Sequence, residues 1–235
     1  MTDFSICVPT RNRPNSIKRL VKSIIDTTAN LDRIEILFRI DEDDVLSPEA
    51  IDSLSNQVTI KTFVGPKKCL SDLWDDMWPH VSSPRLHMMG DDVIYRTYGW
   101  DNAILAIMPN PTEYPLFVYG NDLNQGKNIA TLPIVSAKWA EILGYFVPLG
   151  YSKDYCDTHL HEIAQKVEEK GFHVMTYLNN IIFEHLHPTI NKAPVDSTYS
   201  DRWAMPCGSI AFGAKAGERE IGVEQIISFL KNVAK

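Results

Sequence analysis

This chain has little that would place it in a membrane, in a disulfide framework or on a nucleic-acid backbone. Its most apolar window, 129–149, is broken by Pro133, Lys138, Glu141 and Pro148 and is unsuited to crossing a bilayer. The opening residues, Met-Thr-Asp-Phe-Ser-Ile-Cys-Val, carry no basic segment and no long apolar core. No signal peptide is therefore expected, and a cytoplasmic location is. The four cysteines, Cys7, Cys69, Cys156 and Cys207, form no Cys-x-x-Cys pair and no zinc-type spacing. They read as free thiols of a reducing compartment. Positive charge is also scarce: 23 Lys and Arg against 30 Asp and Glu leave a formal charge of −7. A nonspecific binder of nucleic acid or anionic lipid carries a basic face, so that class is disfavoured, although a local basic groove is not. Low-complexity tracts, internal repeats and linker-like composition are missing too, and one domain is the simplest organisation for 235 residues.

What is present is a repeated alternation of short apolar runs and helical spacing. Phe4 to Val8 reads as a strand, followed from Asn15 by Ile17, Leu20, Val21, Ile24 and Ile25 at helical intervals. Ile34 to Ile40 is a second strand and Val58 to Val64 a third, with a helix from Pro48 to Leu54 between them. Leu70 to Trp78 reads as a helix ending at Pro79, and Arg85 to Met89 as a fourth strand. Strand and helix in strict alternation predict a parallel α/β sheet. The second half is less regular. Helices are expected over 98–108, 137–143 and 154–170, the last stopped by Gly171. Strands are expected at 116–119, 129–135, 173–178 and 181–184. Residues 189–217 read as a long polar loop, and 218–234 as an amphipathic helix.

The stretch Arg85-Leu-His-Met-Met-Gly-Asp-Asp-Val-Ile-Tyr95 organises the rest. An apolar run stops at Gly90 and two carboxylates, Asp91 and Asp92, which then project from a strand end. In isolation the pair could simply cap a following helix. Three further polar clusters follow the other strands: Thr10-Arg11-Asn12-Arg13, Asp41-Glu42-Asp43, and Lys67-Lys68. In a parallel sheet all four fall on one edge, where ligands of open α/β sheets bind. Carboxylates there suit a hard cation such as Mg²⁺ or Mn²⁺, and cations suit an anionic ligand.

Ser5-Ile6-Cys7-Val8-Pro9-Thr10-Arg11-Asn12-Arg13-Pro14 resembles the opening of family 2 glycosyltransferases, and Gly90-Asp91-Asp92 falls where those enzymes carry an Asp-x-Asp metal motif. The chain departs from the motif at Gly90, where many relatives have an aspartate. The resemblance implies a GT-A fold, a single-domain α/β protein with a Rossmann-like mixed sheet flanked by helices. It also implies a nucleoside-diphosphate-sugar donor, a UDP-sugar in first place, and a divalent metal, Mn²⁺ or Mg²⁺. By the same resemblance Pro9, Thr10, Arg11 and Arg13 line the nucleotide pocket and Asp41 contacts the base. Asp91 faces the ribose or sugar, and Asp92 binds the metal. Leu132 to Trp139 and Gly144-Tyr145-Phe146 are similar to the family's acceptor-side segment. Tyr155-Cys-Asp-Thr-His-Leu160 is similar to its Glu-Asp-x-x-Leu element, which makes Asp157 the general base, with Asp154 one turn earlier as the other carboxylate in reach. A histidine after a late strand often completes the metal site in such enzymes, and His185 fits that place, with His187 pointing to the same side.

On this reading residues 1–95 hold the donor, 96–188 meet the acceptor, 189–217 are a candidate lid with Lys192, Asp196, Tyr199, Asp201, Arg202 and Trp203, and 218–235 are a closing helix. The activity implied is an inverting transfer to an acceptor hydroxyl. A glycan, a lipid-linked sugar, a protein side chain and a hydroxylated DNA base, as in compact phage enzymes, all remain as acceptors. A groove of Lys67, Lys68, Arg85 and Arg96 is the candidate surface for DNA. A non-catalytic nucleotide-sugar-binding module is the alternative outside enzymes. A nucleotidyltransferase is disfavoured because Pro9 to Pro14 contains no glycine.

Overall fold

Every residue of Phe4–Thr10 (β1) is buried, with Phe4, Ile6 and Val8 on one face and Ser5 and Cys7 on the other. Burial on both faces is the mark of a central strand in a parallel sheet. The computed structural model describes residues 2–233. In it β1 pairs in parallel with Ile34–Asp41 (β2) on one side and Arg85–Met88 (β4) on the other, and β2 pairs in parallel with Thr59–Gly65 (β3). The register brings Thr10 opposite Ile40 and Asp41 opposite Gly65, so the carboxyl ends of these strands share one edge.

The sheet continues through Ile134–Ser136 (β7), Phe117–Asn121 (β6), Met175–His185 (β8) and Val93–Tyr95 (β5), giving the order β3-β2-β1-β4-β7-β6-β8-β5. β7 runs antiparallel to β4 and β6, β8 is parallel to β6, and β5 is antiparallel to β8, so the sheet is mixed. One face is covered by Pro14–Thr27 (α1), Ser47–Asp52 (α2) and Trp100–Ile107 (α4) through Leu20, Ile24, Ile51, Trp100 and Ile104. The other is covered by Leu70–Met77 (α3), Ala137–Leu143 (α5), Cys156–Glu169 (α6) and Ala216–Val233 (α9) through Met77, Trp139, Leu160, Val223 and Ile226. Each such side chain, fully buried, contributes about 1.5–3 kcal/mol. No helix among the described residues is long and apolar enough to cross a membrane.

Asp91 and Asp92 follow the end of a strand, as expected, and do not cap a helix: the chain turns straight into β5, whose Val93 pairs with His185. Other expectations are corrected. The two strands expected around Asn179-Asn180 are one strand, β8, with a register shift, because Thr97 accepts from the Ile182 amide and donates to the Asn180 carbonyl across the irregularity. Residues 189–217 are not a loop. They contain Ser197–Trp203 (α7) and Gly208–Ala214 (α8), and α9 already begins at Ala216. Asp196 starts α7 by accepting a hydrogen bond from the Tyr199 amide at 2.9 Å. The expected 129–135 strand shortens to β7, and residues 234 and 235 of the expected final helix lie outside the described residues.

Candidate active site

The shared edge of β1 to β4 opens into a cleft of about 370 Å³ that reaches from Asp41 and Lys67 past Asp91 and Asp92 to Asp157. Its floor is fixed by Trp74, whose indole N–H donates to the carbonyls of Cys7 (3.1 Å) and Met89 (2.9 Å), where β1 and the end of β4 part. Pro9, Thr10, Arg11, Arg13, Asp41, Lys67, Lys68, Asp91, Asp92, Asp154, Asp157, His185 and His187 all line this one cleft.

At the β2–β3 end, Arg11 donates to Asp41 at 2.7 Å and grips Asp43 with both terminal nitrogens. Asp41 is buried, and Lys67 and Lys68 are exposed on the loop that follows β3. In the middle, Asp91 has both oxygens engaged, one by the Thr10 hydroxyl at 2.6 Å and one by Arg13 at 2.9 Å. Asp92 is the carboxylate that faces across the cleft: its Oδ1 lies 3.4 Å from His185 Nε2. Burial alone would raise the pKa of Asp92, but His185, the Tyr199 hydroxyl and Arg202 outweigh it and hold the carboxyl far below its usual range. Conversely, burial would lower His185, and Asp92 raises it instead. Gly90 is needed here for space, because a Cβ would come within 2.6 Å of Asp92 Oδ1. The departure from the Asp-x-Asp pattern thus coincides with Asp92 folding back over position 90.

On the far wall, Asp157 stands in the first turn of α6, where the helix dipole also favours a carboxylate. Burial raises its pKa, against the Thr158 amide and hydroxyl, which lower it. Its Oδ1 accepts from the Thr158 amide at 2.8 Å, and its Oδ2 accepts no hydrogen bond among the described residues. Asp154, by contrast, accepts from the Gly208 amide at 2.6 Å and so anchors the start of α8.

The segment 196–208 bridges the cleft. Asp196 forms a two-bond pair with Arg13, both at 2.8 Å, and Thr198 donates to the Arg11 carbonyl at 3.0 Å. Tyr199 is buried, donates its hydroxyl to Asp92 Oδ2, and lies 4.4 Å below the Arg13 guanidinium. Arg202 donates to the Lys153 carbonyl and lowers the pKa of both Asp92 and Asp157 by its charge.

Other expected groupings do not assemble. His187 bonds to Thr189 at 2.7 Å, and its ring stands 5.3 Å from that of His185. Among the described residues no three of His, Cys, Asp and Glu converge in metal-ligating geometry. The basic groove for DNA is also not formed. Arg85 is buried at the start of β4, bonded to the Met108 carbonyl that ends α4, on the edge opposite Lys67 and Lys68. Arg96 is paired with Glu184 at 2.7 Å. Lining residues that the sequence did not single out include Asn124, Gln125, Ser152 and Lys153. Asn124 and Gln125 carry a local signal. They are presented by Asp122, whose Oδ1 accepts from the amides of residues 124, 125 and 126 at 2.8–2.9 Å, and the run Asp-Leu-Asn-Gln-Gly was the available turn signal.

No protein-family model matches the chain, and neither does any curated protein. Solved structures do match. The structure of S. aureus TarS 1-349 in complex with UDP-GlcNAc superposes with a TM-score of 0.64 at 9% identity, over 97% of this chain and 72% of that one. Mannosyltransferase PcManGT from Pyrobaculum calidifontis, in complex with GDP-Man and Mn²⁺, gives 0.61 at 12% identity, over 98% and 74%. In a further match, to S. aureus TarS 1-349, the alignment takes in 77% of this chain and only 59% of that one, at a TM-score of 0.62 and 9% identity. At these identities the likeness establishes the fold alone: the chain shares the GT-A-like architecture of these structures.

Proposed function

We propose that this protein is a metal-dependent glycosyltransferase that moves a sugar from a nucleoside-diphosphate donor, a UDP-sugar in first place, to an acceptor hydroxyl with inversion at the anomeric carbon. The observation that carries the reading is the gathering, in one cleft, of Arg11 with Asp41 at one end, Arg13 with Asp91 and Asp92 in the middle, and Asp157 on the opposite wall. Residues 1–95 supply the donor side and 96–188 the acceptor side. Asp41 accepts a hydrogen bond from the nucleobase or ribose, with Arg11, Lys67 and Lys68 around it. Arg13 and Arg202 lie where a diphosphate's charge needs neutralising as the bond to the sugar breaks.

Two donors on this chain suit a divalent ion, Asp92 Oδ1 and His185 Nε2, which stand 3.4 Å apart. The other ring nitrogen of His185, Nδ1, is buried without a partner, and an imidazole beside a carboxylate suits a transition ion such as Mn²⁺ better than Mg²⁺, which takes oxygen ligands. Asp92 and His185 would hold the ion, with His187 the next nearest imidazole. Bound there, it would act as a Lewis acid on the leaving diphosphate.

Asp157 takes the proton of the acceptor hydroxyl as that oxygen attacks the anomeric carbon from the face opposite the diphosphate. Its raised pKa makes it a stronger base than an ordinary surface aspartate. Asn124, Gln125 and Lys153 then border the acceptor, and α7 with α8 closes over the donor. A neutral acceptor such as a glycan fits this wall better than nucleic acid, because Arg85 and Arg96 do not reach it.

The test is donor hydrolysis with Mn²⁺, using UDP-GlcNAc, UDP-glucose and GDP-mannose. Asp157→Asn should lower turnover by roughly 10²–10⁴-fold, the range of general-base contributions, and leave nucleotide binding intact. Undiminished turnover in Asp157→Asn would remove that residue's role. No turnover in the wild type would leave a binding module.

A further inference from the structure

Arg39 is buried beneath the β2–β3 end of the cleft and does not line it. It sits two residues before Asp41 on the same strand, so both side chains leave the same face of the sheet. Its guanidinium Nη2 donates to the Pro66 carbonyl at 2.7 Å, Nη1 to the Gly65 carbonyl at 3.3 Å, and Nε to Asp76 at 3.2 Å. Nη1 also lies 3.8 Å from the Asp41 oxygen that Arg11 does not hold. The second oxygen of Asp76 takes Lys68 at 2.7 Å. One planar cation therefore bonds the backbone that leaves β3 and, through Asp76, holds the lysine that follows, while its charge stands beside the carboxylate at the end of β2. A lysine at position 39 could not serve these partners, since an ammonium lacks the fork of N–H donors at fixed angles. Gly65 is matched to this arrangement: a Cβ there would stand 2.9 Å from Nη2.

We infer that Arg39 is a positioning residue for the nucleobase end of the donor site, holding Asp41 and the Gly65–Lys68 loop in the geometry that distinguishes a nucleoside diphosphate from bare diphosphate. This rests on the nucleotide-sugar reading of the cleft. The diphosphate end, with Arg13, Asp91 and Asp92, shares none of Arg39's bonds. Loss of the fork should therefore weaken base recognition alone.

The experiment is calorimetric titration of UDP, GDP and inorganic pyrophosphate, each with Mn²⁺, into the wild type, Arg39→Lys and Gly65→Ala. In Arg39→Lys the affinity for the nucleotide that the wild type prefers should fall about 10-fold, the scale of one charge-assisted hydrogen bond. Pyrophosphate affinity should stay within about twofold, as should kcat for donor hydrolysis while KM rises. Gly65→Ala, which displaces the guanidinium without removing it, should show the same selective loss at smaller size, and it serves as the test should the Arg39 variant not fold. A parallel loss of nucleotide and pyrophosphate binding would mean a merely structural role, and no loss in either variant would overturn the inference. A wild type that binds neither UDP nor GDP would instead sink the nucleotide reading, and this inference with it.

Discussion

Tyr199→Phe isolates the contact that ties the segment 196–208 to the centre of the cleft. The substitution keeps the ring, and with it the packing 4.4 Å below Arg13 and 5.3 Å from His187. It removes one hydrogen bond, from the hydroxyl to Asp92, a partner held ionised by His185 and Arg202. A hydrogen bond to a charged group contributes about 1.5–3 kcal/mol, so the closed arrangement should lose roughly 10- to 150-fold against the open one. Asp196 on Arg13 and Thr198 on the Arg11 carbonyl remain, so α7 should loosen rather than detach. Hydrogen exchange at the α7 amides reads this directly. Those of Ser200 and Ala204, bonded to Asp196 and Ser200, should exchange faster by that factor, with β1 and β2 unchanged. A saturating nucleotide sugar should restore protection. Exchange identical to wild type would show that α7 is held by packing alone, and the coupling of this helix to Asp92 would be wrong.

Other perturbations follow from the same geometry. Burial holds His87 and His159 down to about 3, so the unfolded chain takes up their protons first and stability falls as pH drops below about 6.5. Between pH 6.5 and 5 the loss should be about 1.6 kcal/mol per histidine, about 3 kcal/mol for the two, read as a shift in urea midpoint; a flat profile would contradict it. Gly90→Ala places a Cβ against Asp92 Oδ1 and should weaken Mn²⁺-dependent nucleotide binding roughly 10- to 100-fold, while binding measured in EDTA is unchanged. Trp74→Phe leaves the Met89 carbonyl without its side-chain donor, while Cys7 keeps the Met89 amide, at a cost of about 1–3 kcal/mol, a fall in Tm of roughly 2–12 °C.

β1, β2 and β4 could be read from the sequence as short, largely apolar stretches buried on both faces, and β3, half-exposed at the sheet edge, from Ile60, Phe63 and Val64; a polar cluster follows each. Their alternation with helices implies a parallel sense, which puts Thr10, Asp41, Lys67 and Asp91 on one edge. β5 was missed because three residues are too few to show a period, and Asp91-Asp92 ahead of it looks like a helix cap. β8 was split in two because Asn179-Asn180 has turn chemistry, and its continuity depends on Thr97, some 80 residues away. α7 and α8, at seven residues each, are too short for helical periodicity to show against scattered Pro and Gly. The Asp196 cap was the one local signal. Tyr199 on Asp92 and Arg202 beside Asp157 are tertiary contacts with no signature in spacing. The DNA groove failed for a related reason: Arg85 is next to the site in sequence but begins the strand that Asp91 and Asp92 follow, a strand's length away.

The central claim is that this cleft binds a nucleoside-diphosphate sugar with help from a divalent metal. A thermal-shift panel of UDP-, GDP-, dTDP- and CDP-sugars, each with and without Mn²⁺, tests it most directly. At a ligand concentration of about 100 Kd the native state gains about 2.7 kcal/mol, which for a chain of this size raises Tm by roughly 5–11 °C. The account predicts such a shift for one nucleotide class, dependent on Mn²⁺ and lost in Asp92→Ala. No shift with any donor, or an equal shift in Asp92→Ala, would contradict it.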